Sequence, residues 1–186
     1  MEAHLIEAAR AGDATARDRL LSQVRDQVFR WALVMTADSD DADDVTQQVS
    51  VVLHRKLHLY QGRSAFATWL YRIVRNTVIE SRRRARFTRE VSLDSDDVRG
   101  TLSEATEDRL QEIDDAQSVA LIRALFTELP PRQRELIDLV DTQGFKTVEA
   151  AEMMEIEPET ARVHLLRARR TLRARMLELH PERFEK

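Results

Sequence analysis

Apolar side chains recur every three to four residues through positions 3–35, the spacing that lines one face of an α-helix, and the pattern breaks only at Gly12-Asp13. Asp13 can cap the helix that follows, whose apolar positions include Leu20, Val24, Phe29, Trp31 and Leu33. The run TADSDDADD holds a turn. Asp40 or Asp41 then opens a helix that continues to about Leu59, its acids at the positive end of the helix dipole. After the short loop QGRS, Ser64 stands where it can cap a long helix from Ala65 to about Arg84. Phe66, Leu70, Ile73, Thr77 and Glu80 follow its packing side, while Arg72, Arg75, Asn76 and Arg83 fall on other faces.

Residues 87–107 mix Ser, Thr, Asp and Gly with few large apolar side chains, the composition of a flexible, solvated linker. Helical spacing resumes near Glu107. Leu129-Pro130-Pro131 interrupts it, because a residue before proline is biased out of the α region and Pro131 suits a first helical turn. PRQRELIDLVDTQG then reads as a helix ending at Gly144, Thr147 to Met154 as another, and Pro158 opens a third. The expected organisation is a first domain over residues 1–88, a linker over 89–107 and a second domain over 108–186.

Composition narrows the class. With 186 residues, 42% apolar, the chain can bury a real core, and four Gly, four Pro and 5% aromatic residues favour an all-α protein of two small helical domains. The absence of cysteine excludes disulfides, thiolate metal sites and a cysteine nucleophile, and fits a reducing cytoplasm. No basic segment followed by an apolar core opens the chain and no run of 18 apolar residues occurs, so neither export by a signal peptide nor membrane insertion is expected. Charge is segregated: residues 53–89 carry +9, residues 90–115 carry −8 and residues 162–175 carry +6, although the whole chain is at −4. Two basic blocks around an acidic one suggest two contact surfaces for a polyanion.

TVEAAEMMEIEPETARVHLLRARR has the layout of a helix-turn-helix: a short helix whose Ala150 and Ala151 permit close packing, a tight turn, and a second helix with polar side chains at its start. Ala161, Leu165, Ala168, Leu172 and Met176 make an inward stripe, with Arg162, Leu166, Arg169, Arg170 and Arg173 opposite. Arginine-rich surface helices are common, yet a merely solubilising face has little use for Leu166. DNA binding is therefore expected here, later arginines on phosphate and residues near the helix start at base edges. His54 and His58 have the i, i+4 spacing of a zinc pair but no accompanying glutamate, so a solvated pair and no metal site are expected. No Gly-rich phosphate loop, GxSxG or catalytic carboxylate set occurs. Neither an enzyme nor a cofactor is expected.

DADDVTQQVSVVLHRKLHLYQGRSAFATWLYRIVRNTVIESRRR, with LPPRQRELIDLVDTQGFKTVEAAEMMEIEPETARVHLLRARRTL, resembles the two domains of the extracytoplasmic-function (ECF) group of sigma-70-type RNA polymerase sigma factors. The resemblance covers nearly the whole chain apart from the linker and the last residues. It implies a cytoplasmic initiation factor whose partners are core RNA polymerase and promoter DNA. Asp41, Asp43, Asp44, Gln47 and Gln48 would contact the polymerase. Arg63, Ser64, Phe66, Arg72, Arg75 and Asn76 would hold the minus-10 non-template strand, with Trp69 and Tyr71 packing in the core. Arg162, Val163, His164, Leu166, Arg167 and Arg170 would read the minus-35 element. An anti-sigma factor is a further partner the resemblance suggests.

The chain departs from the family pattern at several of these positions. The family has a small polar residue at Val163, arginine at His164, glycine at Glu155 and Glu159, glutamate at Gln48 and a large apolar residue at Ser50. Valine suits a thymine methyl, and Glu155 costs the turn backbone freedom. With one acid missing at Gln48, a phosphate on the adjacent Thr46, placed by a Ser/Thr kinase, would restore charge to the polymerase contact. Two other readings stay open: a stand-alone helix-turn-helix regulator, and a sigma mimic that titrates an anti-sigma factor.

Overall fold

The computed structural model describes residues 3–91 and 125–179, and the side chains of 3–87 and 125–178. All regular structure among them is helical, and the chain divides into two units, Met1–Ser103 and Glu104–Lys186.

The first unit is built from α1 (Ala3–Arg10), α2 (Ala14–Thr36), α3 (Ser39–Lys56), a 3₁₀ turn (Leu57–Leu59) and α4 (Phe66–Val91). Asp13 caps α2, accepting the Ala16 N–H at 3.0 Å. α2 stops where Ala37 adopts the left-handed conformation, which turns the chain so that the next residue can cap α3. That cap is Asp38, whose carboxylate accepts the N–H groups of Asp40 and Asp41, both at 2.9 Å. The helix therefore starts earlier than a cap at Asp40 or Asp41 would allow, and those two acids lie in its first turn. It also ends at Lys56, with the 3₁₀ turn completing the stretch to Leu59.

The core of this unit joins Leu20, Val24, Val28 and Trp31 of α2 to Val45, Val49 and Leu53 of α3 and to Leu70, Tyr71, Val74 and Val78 of α4. Trp31 and Tyr71 meet edge to face at 5.2 Å, both 1% exposed. The packing side of α4 differs from the expected one. Ile73 is half-buried and Glu80 exposed, while Tyr71, Val74 and Val78 are buried, because α4 packs on both α2 and α3 and needs a broader face. It also runs to Val91, through residues expected at the start of the linker, and begins at Phe66 with the Ala65 carbonyl closing its first turn. The remainder of the proposed linker and the helix near Glu107 lie outside the described residues.

In the second unit residues 125–128 are helical, Pro130-Pro131 breaks the chain, and α5 (Pro131–Ile137) passes into a π-helical turn (Asp138–Thr142). Gly144, at φ 76°, reverses it, and α6 (Thr147–Met154) and α7 (Pro158–Leu179) follow. α6 begins where the Glu149 carboxylate accepts the Lys146 N–H at 2.8 Å. Ala150, Ala151, Met153 and Met154 pack against Ala161, Leu165 and Ala168, the inward stripe expected of α7. Leu172 and Met176 continue it half-buried.

The α6–α7 turn is closed by Glu155 in the left-handed conformation (φ 55°, ψ 46°), with Ile156 N–H on the Ala151 carbonyl at 3.0 Å. A side chain there costs about 1–2 kcal/mol, partly offset by the freedom glycine would add to the unfolded chain. Glu155→Gly is expected to stabilise the second unit by about 0.5–1 kcal/mol, read as a raised thermal midpoint. An unchanged or lowered midpoint would show that the turn is unstrained.

Candidate polymerase and nucleic-acid interfaces

On α7 the buried stripe fixes which side chains face out. Val163, Leu166 and Arg170 lie opposite it, flanked by Arg167 on one edge and Arg173 on the other. Val163 is 44% and Leu166 51% exposed, so two apolar side chains stand in the middle of a cationic face. Such residues suit base edges and thymine methyls, where arginine alone would read only acceptors.

The six arginines of this helix are not equivalent. Arg162 pairs with Glu159 one turn back, and Arg169 holds Asp141 through two hydrogen bonds, the Nε one at 3.0 Å. Arg175 bridges Glu128 and Glu178 at 2.8 Å each. These bonds raise the pKa of Arg169 and of Arg175 above the ordinary arginine value, the hydrogen bond to the acid being the leading cause in each. Among the described residues Arg167, Arg170 and Arg173 have no ion-pair partner. They are the cations available to phosphate.

His164 does not stand with the outward residues. It sits half-buried on the flank of α7, and its Nδ1 is buried without a hydrogen-bond partner. A position one step round the helix from Val163 carries the ring about 100° away from it, so His164 is corrected to a flank residue.

In the first unit the loop at residues 61–65 and the first turns of α4 form the second surface. Arg63 and Asn76 are exposed, and Ser64, Arg72 and Arg75 are half-buried. The loop rests on an aromatic cluster in which Tyr60 meets Phe66 at 5.3 Å and Trp69 at 5.3 Å. The Tyr60 hydroxyl donates to the Ser64 carbonyl at 2.8 Å, and Arg10 donates to the Tyr60 carbonyl at 3.0 Å. Phe66 is thus a correction: at 6% exposure it supports the loop from beneath and offers no face to a base. Ser64 contributes its carbonyl to the loop's closure, not a cap to α4. Tyr71 is core, as expected, and Trp69 is half-buried at its edge.

α3 carries the third surface. Asp41, Asp43, Asp44 and Gln47 are exposed and Gln48 is half-buried. Asp44 and Gln47 point outward together with Val51, which is 50% exposed. Thr46 is a correction. It is 4% exposed and its hydroxyl donates to the Ala42 carbonyl at 2.7 Å, beneath a shallow groove shared with Ser22 and Arg25 of α2. A kinase cannot reach that oxygen while α3 is folded. His54 and His58 are both exposed, and no group of three metal-binding side chains occurs among the described residues. No described helix is long and apolar enough to cross a membrane.

The pairings of Arg169 and Arg175 went unforeseen in the sequence. Asp141 and Glu128 lie 28 and 47 residues away, so no local spacing announces them, whereas Glu178 pairs with Arg175 at an ordinary i, i+3 step.

Two family models match the chain: Sigma-70 region 2 over residues 20–88 and Sigma-70, region 4 over residues 120–172. The chain is 33% identical over 176 residues to the ECF RNA polymerase sigma factor SigM of Mycobacterium tuberculosis, spanning 95% of this chain and 84% of that protein. It is 31% identical over 175 residues to SigL of the same species, spanning 91% of this chain and 96% of SigL. Among solved structures it is similar to the sigma factor RpoE of Bartonella quintana in complex with the anti-sigma factor NepR, with a TM-score of 0.66 at 20% identity over 84% of this chain and 94% of that one. It is also similar to CnrH in complex with the cytosolic domain of CnrY, with a TM-score of 0.64 at 23% identity over 92% and 94%.

Proposed function

We propose a division of labour for this chain, which belongs to the ECF RNA polymerase sigma factors and as a sigma factor directs transcription initiation: the first unit engages core polymerase and the minus-10 element, and α7 reads the minus-35 element. The observation that carries the reading is the outward face of α7, where Val163 and Leu166 stand exposed among Arg167, Arg170 and Arg173. In this arrangement α7 lies in a major groove, Val163 and Leu166 meet base edges, Arg167 donates to a base or phosphate, and Arg170 and Arg173 hold phosphates. Arg162 reaches the groove by exchanging Glu159 for DNA.

In the first unit Asn76 and the loop with Arg63 hold the unpaired minus-10 strand, and Arg72 and Arg75 attract its backbone. The exposed acids Asp41, Asp43 and Asp44, with Gln47 and Gln48, meet basic side chains of the polymerase. Initiation at the polymerase places the protein in the cytoplasm. An anti-sigma factor is the natural restraint on it, as NepR is the anti-sigma factor in the complex of the structural relative RpoE. A sigma mimic would have no need of the DNA-facing residues this chain retains, so that reading is not favoured.

Run-off transcription from a genomic fragment library with purified core polymerase tests the proposal and recovers a promoter. Promoter-specific product with the chain, and none without it, is expected. Product without the chain, or none with it, would overturn the reading. On the recovered promoter Arg167→Ala is expected to weaken minus-35 binding by about 1–3 kcal/mol, whereas Arg169→Ala, which removes a paired cation, should weaken it less. Equal losses would sink the distinction between free and paired arginines.

A further inference from the structure

The loop at 61–65 is held at both ends through one residue. Tyr60, which follows the 3₁₀ turn, engages all three of its groups: its carbonyl accepts the Arg10 guanidinium at 3.0 Å, its ring lies against Phe66 and Trp69, and its hydroxyl donates to the Ser64 carbonyl at 2.8 Å. Start and end of the loop are thereby tied across an apex that Gly62 shapes at φ 70°, with Gln61, Gly62 and Arg63 exposed. The Arg10 end of this chain of contacts is itself fixed, because the other arm of the guanidinium holds the Glu7 carboxylate one turn back at 2.7 Å. Docking of α1 does not depend on the Arg10 bond: the helix packs on α2 and on the 3₁₀ turn and buries Leu5 and Ala9.

We infer that Arg10 is a positioning residue for the minus-10 strand: from α1 it fixes, through Tyr60, the backbone of the loop that receives the unpaired bases. The inference rests on the minus-10 reading proposed above and adds to it a residue that acts without touching DNA. Its physical basis is pre-organisation. A loop free to wander loses its backbone freedom each time it closes on a ligand, whereas a loop fixed at both ends has already lost it on folding. Tyr60 is only half-buried, so water could satisfy its carbonyl, but water cannot fix where that carbonyl stands. The planar fork of arginine can, because its two arms hold Glu7 and the loop at once. Charge favours positioning over a direct phosphate contact, since Glu7 already balances Arg10. Phe66 belongs to the same scaffold, meeting Trp69 at 5.6 Å beneath the loop that Arg10 holds from the side of α1.

The test uses holoenzyme assembled from the full chain and core polymerase, titrated onto forked DNA from the promoter recovered by run-off. One probe carries the intact unpaired minus-10 strand. In the others each unpaired base in turn is replaced by an abasic site, so that the loss of affinity measures base capture position by position. Arg10→Met is expected to weaken binding to the intact strand about tenfold, the equivalent of ~1.4 kcal/mol, and to leave unchanged the probe lacking the base that the loop holds. Tyr60→Phe, which keeps the ring and loses only the hydroxyl, should show the same pattern at the same base. Arg10→Lys, which keeps a donor for the Tyr60 carbonyl, should recover part of the loss. The salt slope should not change with Arg10→Met, because its charge is already balanced. In the free chain, amide exchange at residues 61–64 should quicken in Arg10→Met and Tyr60→Phe while the core of α2 and α3 keeps its protection. Equal weakening on intact and abasic probes would reduce Arg10 to a structural role and overturn the inference. A shallower salt slope would place Arg10 on phosphate and overturn it too, as would unchanged binding to the intact strand or unchanged exchange in the loop. Arg63→Ala and Asn76→Ala separate this failure from the larger one: if either weakens the intact fork while Arg10→Met is inert, this inference falls alone. If all three are inert, the minus-10 assignment falls with it.

Discussion

Replacing Arg134 with methionine is expected to weaken minus-35 binding sharply at temperatures near the melting of the second unit, although Arg134 lies on α5 and not on the outward face of α7. Arg134 is 9% exposed and its guanidinium donates to three backbone carbonyls, those of Phe126 at 2.9 Å, Thr127 at 3.0 Å and Leu129 at 3.2 Å. These lie in and just after the helical turn that precedes Pro130, where the prolines break the helix; the Phe126 carbonyl also accepts the Leu129 N–H at 3.2 Å. A hydrogen bond to a charged group is worth about 1.5–3 kcal/mol, and an orphaned buried carbonyl adds its own cost, so the loss is about 3 kcal/mol or more. A unit of this size has little more than ~5 kcal/mol of total stability. The measurement is differential: thermal unfolding of the second unit and minus-35 duplex binding should fail together, while binding to core polymerase persists. A variant that melts normally yet loses DNA would place Arg134 on the DNA instead.

Trp31→Ala should have a comparable effect on the other unit. Trp31 is 1% exposed in the C-terminal part of α2 and makes the edge-to-face contact with Tyr71, so its truncation leaves a cavity where α2 meets α4. Removing a fully buried large aromatic costs about 3–5 kcal/mol. Urea unfolding followed by far-UV circular dichroism should show the midpoint fall, with polymerase binding lost at temperatures where the wild type holds it. Trp31→Phe keeps a ring and most of the buried area and should recover much of the loss. If both substitutions leave the midpoint in place, the helices are held by something other than this core.

How much of the fold is legible in the chain depends on whether the signal is local. Asp13 as a cap, Pro131 as a first turn, the limits of α6 and the Ala161–Leu165–Ala168 stripe are all fixed within two turns of helix, and the chain follows them. The start of α3 is ambiguous because the run TADSDDADD offers several acids that could cap. What selects Asp38 is the left-handed turn at Ala37, a conformation alanine does not advertise. The buried side of α4 escapes a three-four count because that count admits more than one stripe on a helix that touches two neighbours, and Tyr71 and Val78 lie just off the expected one.

Among the residues proposed for function, exposure separates those free to make contacts from those taken up by packing. Asn76, Arg63, Val163, Leu166 and Arg167 face solvent as their proposed roles require. Phe66 and Thr46 are taken up by packing, which a polar or aromatic residue's identity alone does not reveal. His164 lies between these cases.

The ion pairs on α7 bear on how a promoter is found. On the proposed reading, with three of six arginines held by Glu159, Asp141, Glu128 and Glu178, the helix by itself would release counterions for three phosphates, a log–log salt slope of about −2.7. Six free arginines would double that slope and hold the chain on DNA of any sequence. Kept modest, the grip of α7 would become useful only when polymerase holds both units, so that the second contact forms at the high local concentration set by the first. Selectivity on this view is a property of the assembled holoenzyme, and the acids around α7 would keep the unassembled chain from idling on the chromosome.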